Sequence, residues 1–121
     1  MYHYPQPYFH NIPIYGDLKL YEVLVKAECP MIFTCINNTG TLFFCICCDL
    51  LKEQRWIIAP ISCDILTELI QNKLTIYDFY KNAVHIYKIT WEHGQCFEKV
   101  REISFMECEE DLPPHDMYID L

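Results

Sequence analysis

The chain predicts an α+β domain: a mainly antiparallel sheet built from two hairpins plus flanking strands, with two short helices grouped on one side. Three observations carry this. Runs rich in β-branched and aromatic residues recur at strand length, two pairs of these runs flank short polar turns, and one central stretch shows helical spacing behind hydroxyl caps. At 121 residues, with 52% hydrophobic and 15% aromatic side chains and three glycines, the chain has enough apolar surface to bury one core without metals or staples.

Residues 1–17 read as an aromatic and Pro-rich arm. Pro5, Pro7 and Pro13 oppose helix, and the segment either packs across the domain or stays mobile. The domain proper is expected over residues 18–106. "LKLYEVLVK", from Leu18, is strand-like, and "MIFTCI" and "TLFFCICC" flank "NNTG", whose Asn and Gly accept the positive φ of a hairpin turn. Taking Asn37 to Gly40 as the loop sets Ile36 opposite Thr41, Phe33 opposite Phe44 and Cys29 opposite Cys48. That register puts Phe33, Cys35, Leu42, Phe44, Ile46 and Cys48 on the core face and Cys45 and Cys47 on a second, less buried face.

"RWIIAPI" is a further strand. Ser62 then stands as N-cap to "CDILTELIQNK", where Ile65, Leu66, Leu69 and Ile70 form one stripe, and Thr75 with Asp78 has capping-box spacing ahead of "IYDFYKN". "VHIYKITW" and "CFEKVREISF" make a second hairpin around "EHGQ". Residues 107–121, "ECEEDLPPHDMYIDL", hold six carboxylate side chains and no Lys or Arg, and read as an acidic tail.

Seventeen acidic against nine basic side chains give a formal charge of −8. Such a field repels phosphates and attracts basic surfaces, so direct nucleic-acid binding is not expected. No apolar run approaches the roughly 18 to 20 residues of a membrane-spanning helix, and the N-terminus shows no secretory signal. The expected location is the cytoplasm of a bacterial cell, where thiols stay reduced, with host and phage both open as the source of the gene.

The cysteines are the residues that would carry chemistry. Cys45, Cys47 and Cys48 lie within one strand, where alternation sends Cys48 away from the other two, so the three cannot converge on one ion. Neither a metal site nor a cofactor is expected. Cys63, at the start of a helix, is the one candidate nucleophile, but Asp64 beside it disfavours the thiolate and no motif completes a site. Cysteine as a small buried hydrophobe covers the rest.

Interaction residues are therefore sought at the two ends. Tyr4, Tyr8 and Phe9, with Tyr2, are aromatic anchors among prolines, and Glu107, Glu109, Glu110, Asp111, Asp116 and Asp120 interleave with the apolar Tyr118 and Ile119. The expected function is a non-catalytic protein-binding module, an acidic inhibitor of the anti-CRISPR or anti-defence kind, that occupies the basic nucleic-acid-binding surface of another protein. Two alternatives stand beside it: a small-ligand-binding regulatory domain, and a thiol- or metal-dependent enzyme.

"LKLYEVLVKAECPMIFTCINNTGTLFFCICCD", "RWIIAPIS" followed by "ILTELIQNKLTIYDFY", and the late "EEDLPP" together resemble a small bacterial domain family of unknown function. Pro30, Phe33, Cys35, Gly40, Asp49, Trp56, Pro60, Ser62 and Leu69 carry the resemblance, which runs from Leu18 to about Pro114. It implies the strand and helix order given above and no reaction. "CICC" departs from the family pattern, and the aromatic arm lies outside it.

Overall fold

The computed structural model describes residues 7–27, 30–49, 53–92 and 98–119. Seven strands follow in chain order: β1 (Pro7–Ile12), β2 (Gly16–Lys26), β3 (Pro30–Ile36), β4 (Leu42–Asp49), β5 (Glu53–Ile61), β6 (Ile86–Glu92) and β7 (Lys99–Ile103). Each pairs antiparallel with the next, so the sheet is a meander in sequence order. It curls into a nearly closed barrel. The two outermost strands meet where the His10 backbone N–H donates to the Glu98 carboxylate at 2.6 Å.

This overturns the expected α+β arrangement of two hairpins with helices grouped on one side. The residues 7–12 of the expected arm are a strand of the sheet, and an edge that would have ended at β2 continues round towards β7. Curling the sheet almost shut brings its two edges towards each other and shields them, which limits the edge that an aromatic-rich meander exposes to aggregation.

Alternation along the strands makes two cores. Inside the barrel lie Phe9 and Ile12 of β1, Leu18 of β2, Phe33 and Cys35 of β3, Phe43 and Cys45 of β4, Trp56 and Ile58 of β5, and Tyr87 and Ile89 of β6, with Val100 of β7 packed against them. Outside, Phe44, Ile46, Ile57, Ala59 and Ile61 are covered by Leu69 of α1 (Cys63–Ile70) and by Ile76, Phe79 and Tyr80 of α2 (Ile76–Lys81). Both helix caps form as their sequences predict: the Ser62 hydroxyl accepts from Ile65 N–H and the Thr75 hydroxyl from Asp78 N–H.

The hairpin register differs by one residue from the expected one, because Ile36 pairs with Leu42, Cys35 with Phe43 and Phe33 with Cys45. Asn37 is the cause. Its Oδ1 accepts from Thr39 N–H, the Thr39 hydroxyl and Thr41 N–H, which draws Thr41 into the loop, while Gly40 takes φ +88°. A slip of one exchanges faces. Cys45 therefore lies fully buried inside the barrel, and Phe44 and Ile46 lie outside beneath the helices.

Tyr80 pins α2 to the barrel wall. Its hydroxyl is buried and 2.9 Å from the carbonyl oxygens of both Phe44 and Ile57, which share its one proton. Tyr80→Phe keeps the ring and removes the donor, so it should destabilise by about 1–3 kcal/mol. A lowered urea midpoint with an unchanged slope is the expected reading, and an unchanged midpoint would contradict it.

Candidate functional site

Among the described residues, one end of the barrel is plugged and the other opens onto a cavity. At the plugged end, the turn between β1 and β2 lays Tyr15 against Phe43 and Tyr87, with ring centroids 4.9 and 6.3 Å apart. At the open end, strand starts and strand ends bring Tyr8, Phe9, Gln54, Trp56, Trp91 and Glu98 around a cavity of about 310 Å³.

The strands place these side chains by alternation and by one irregularity. Gln54 pairs with Trp91 and Trp56 with Ile89, so both tryptophans face inward from neighbouring strands. Glu98 precedes Lys99, whose partner is Thr90, and joins the same inner face. On β1 the register jumps: Pro7 pairs with Lys19 but Phe9 with Leu18, two residues against one. Such a bulge re-aims a side chain, and here the adjacent Tyr8 and Phe9 both pack inward. Their rings meet Trp56 edge-on, at 6.5 and 5.3 Å.

Two of these residues have polar atoms that are incompletely used. The Trp56 indole Nε1 is buried and has no hydrogen-bond acceptor among the described residues, although indole N–H groups in cores normally find one. Leaving such a donor unsatisfied costs about 1–3 kcal/mol. Glu98 is 10% exposed, and its hydrogen bonds from the His10 backbone and ring Nδ1, at 2.6 and 3.1 Å, both fall on Oε1.

The acidic tail is partly engaged by the domain. Residues Phe105–Cys108 form a short helix, α3, followed by a 3₁₀ turn at Glu109–Asp111. Glu107 accepts from Arg101 at 2.8 Å, which holds its carboxyl below the usual range. Glu109 accepts from the Tyr77 hydroxyl and so raises the tyrosine pKa, and Asp111 accepts from Arg55 at 2.8 Å. Glu110, Asp116 and Tyr118 are exposed, whereas Ile119 is buried against the outer core. Phe9 is buried and Tyr8 half-buried, while Tyr2, Tyr4 and Asp120 lie outside the described residues.

Three thiols, Cys45, Cys48 and Cys108, are held protonated. Burial pushes Cys45 well above the ordinary thiol value, helped by the neighbouring Cys35. Burial and the Asp111 charge push Cys48 up to about 12, and burial pushes Cys108 up to about 11. A thiol in that state is a poor nucleophile and a poor ligand at neutral pH. Cys63 is exposed. Among the described residues no group of three His, Cys, Asp or Glu side chains is placed to hold a metal ion. No helix there is long and apolar enough to cross a membrane.

The model of DUF6575, a family of unknown function, matches residues 7–121. The chain belongs to DUF6575. The match extends beyond the stretch that carries the resemblance in sequence and takes in β1, so the strand that closes the barrel lies within the DUF6575 match. No curated protein and no solved structure matches the chain.

Sequence reasoning missed Gln54, Trp56, Trp91 and Glu98 as members of a site. A signal was present. Two tryptophans, one near the start and one near the end of successive antiparallel strands, necessarily fall at the same end of the sheet. Basic residues are in part gathered, since Lys88, Lys99 and Arg101 share the outer face of β6 and β7.

Proposed function

We propose that this DUF6575 protein is a non-catalytic binding module whose recognition element is the open end of the barrel, in the manner of a small-ligand-binding domain. The observation that carries the reading is the cavity of about 310 Å³ walled by Tyr8, Phe9, Trp56 and Trp91, with Gln54 and Glu98 as its polar groups. An apolar pocket with a few convergent polar groups is where a barrel takes its ligand. The protonated state of the buried thiols supports a binding role over thiol catalysis.

Trp56 and Trp91, both in the cavity wall, make the test direct. Small aromatic compounds, neutral, cationic and anionic, are titrated against the intact protein while tryptophan fluorescence and the thermal midpoint are followed. The expected result is saturable quenching and a raised midpoint with one charge class. No change with any of the three would overturn the reading.

A second reading, protein binding to a basic surface and inhibition of its owner, is favoured by the exposure of Glu110, Asp116, Met117 and Tyr118. It draws on fewer free carboxylates than the sequence promises, since Glu107, Glu109 and Asp111 are occupied within the chain. It expects a basic peptide to associate with a rate that falls with salt and falls again in a Glu110→Gln, Asp116→Asn variant.

A further inference from the structure

We infer that the outer face of β6 and β7 is a docking surface for a short acidic segment of a partner protein, gripped by Lys88, Lys99 and Arg101. This surface is separate from the aromatic cavity, and neither reading depends on the other.

Strand pairing builds the patch. Lys88 stands opposite Arg101 and Thr90 opposite Lys99, and alternation sends all four side chains outward while Ile89 packs in the barrel interior. These four residues, with Val100, line a groove of about 560 Å³. Three of the nine basic side chains of a chain with formal charge −8 thus meet in one place. Like charges at neighbouring cross-strand positions destabilise a sheet, so the cluster carries a folding cost that a bound anion offsets.

Lys88 and Lys99 are its unclaimed members. Neither makes a hydrogen bond or an ion pair among the described residues, whereas Arg101 donates to Glu107 at 2.8 Å.

The chain itself shows which anion suits this face. Two carboxylates of its C-terminal segment already sit there: Glu107 on Arg101, and Asp111 on Arg55, which stands opposite Thr90 on the other side of β6. Arg101 above all, with Lys88 adding to it, holds the Glu107 carboxyl below its usual range. An acidic segment from another protein extends the same pairing to Lys88 and Lys99.

Its surroundings limit the patch to a short occupant. Glu92 follows Thr90 by two on the same face and Glu107 sits on Arg101, so carboxylates bound the cations at both ends. A nucleic-acid strand or an anionic membrane runs past the patch onto acidic surface, whereas a segment with two carboxylates stays within it. At physiological salt the Debye length is about 8 Å, so remote carboxylates of this chain are screened while contacts in the groove act.

The experiment titrates the isotope-labelled full chain with a capped peptide, Thr-Glu-Thr-Glu-Thr, and follows the backbone amide resonances. Exposed ion pairs contribute little each, so a Kd on the order of 1 mM is expected. Saturable shifts should centre on Lys88, Thr90, Lys99 and Arg101 and weaken as salt is raised. The same peptide with Gln in place of Glu, inorganic phosphate and a short oligothymidylate should each bind at least fivefold more weakly. A Lys88→Gln, Lys99→Gln variant should lose at least fivefold in affinity without a lowered thermal midpoint, and Lys88→Arg, Lys99→Arg should retain the native affinity.

Shifts that fail to saturate by about 10 mM peptide, or that map elsewhere, overturn the inference. Tighter binding of phosphate or of the oligothymidylate overturns the carboxylate partner, and equal binding of the Gln peptide overturns the role of charge. Sedimentation of the chain before peptide is added covers the remaining occupant: self-association that the double Gln variant loses makes a second copy the partner and overturns a separate protein.

Discussion

Ending the chain after Met106 should destabilise the protein by about 5 kcal/mol, a large share of the roughly 5–15 kcal/mol that holds a domain of this size folded. The loss has named parts. Cys108 and Ile119 are buried in the outer core and Leu112 packs against it, and a fully buried aliphatic side chain contributes roughly 1.5–3 kcal/mol. Asp111 pairs with a half-buried Arg55 on β5, a pairing that the truncation removes, and Ile76 N–H at the start of α2 donates to the Met117 carbonyl at 3.4 Å. Urea denaturation of the two forms measures it. A truncated form within about 0.5 kcal/mol of the full chain would mean that the tail is solvated after all. As a control, neutralising the exposed Glu110 and Asp116 together should stay within about 0.5 kcal/mol, because surface carboxylates away from partners contribute little.

That tail shows where a sequence ceases to be legible. Its carboxylates read as one charged run, and three of them turn out to have partners 6, 32 and 56 residues away in sequence. The caps at Ser62 and Thr75 were readable because a hydroxyl and the N–H it receives sit three residues apart. So was the positive φ at Gly40, since an Asn-Gly-rich turn between apolar runs demands it. The register of that same hairpin was not, because it depends on how many N–H groups one Asn37 oxygen gathers. Barrel closure was the least readable feature of all. It depends on a bond between residues 88 apart, and on a bulge in a strand that lies within the Pro-rich segment read as an arm. The site inherits both: without closure, Tyr8 and Phe9 have no Trp56 to meet, and Glu98 is only a charge after a turn.

Raising the pH should unfold this protein earlier than its size and fold alone would suggest. The groups responsible are Cys45, Cys48 and Cys108, all raised above the ordinary thiol value chiefly because burial disfavours the thiolate, with the buried Tyr80 raised for the same reason. Below about pH 9 the folded and unfolded chains both hold these thiol protons, and stability does not depend on them. Above it the unfolded chain releases a proton that the folded chain keeps, so the unfolded state gains free energy and stability falls with each pH unit until the folded-state value is passed. For Cys48, which moves from 9.0 to about 12, the window is pH 9 to 12. Three units correspond to a loss on the order of 4 kcal/mol at its upper end, and the other groups fall in the same direction. Denaturant midpoints at pH 7.5, 9 and 10.5, taken under reducing conditions, should be level over the first interval and drop over the second. Cys48→Ala gives up a little packing and should flatten the drop, since alanine has no proton to release. A midpoint that holds steady to pH 10.5, or a slope that the alanine variant leaves unchanged, would show that these thiols are less shielded than the two cores of the barrel make them.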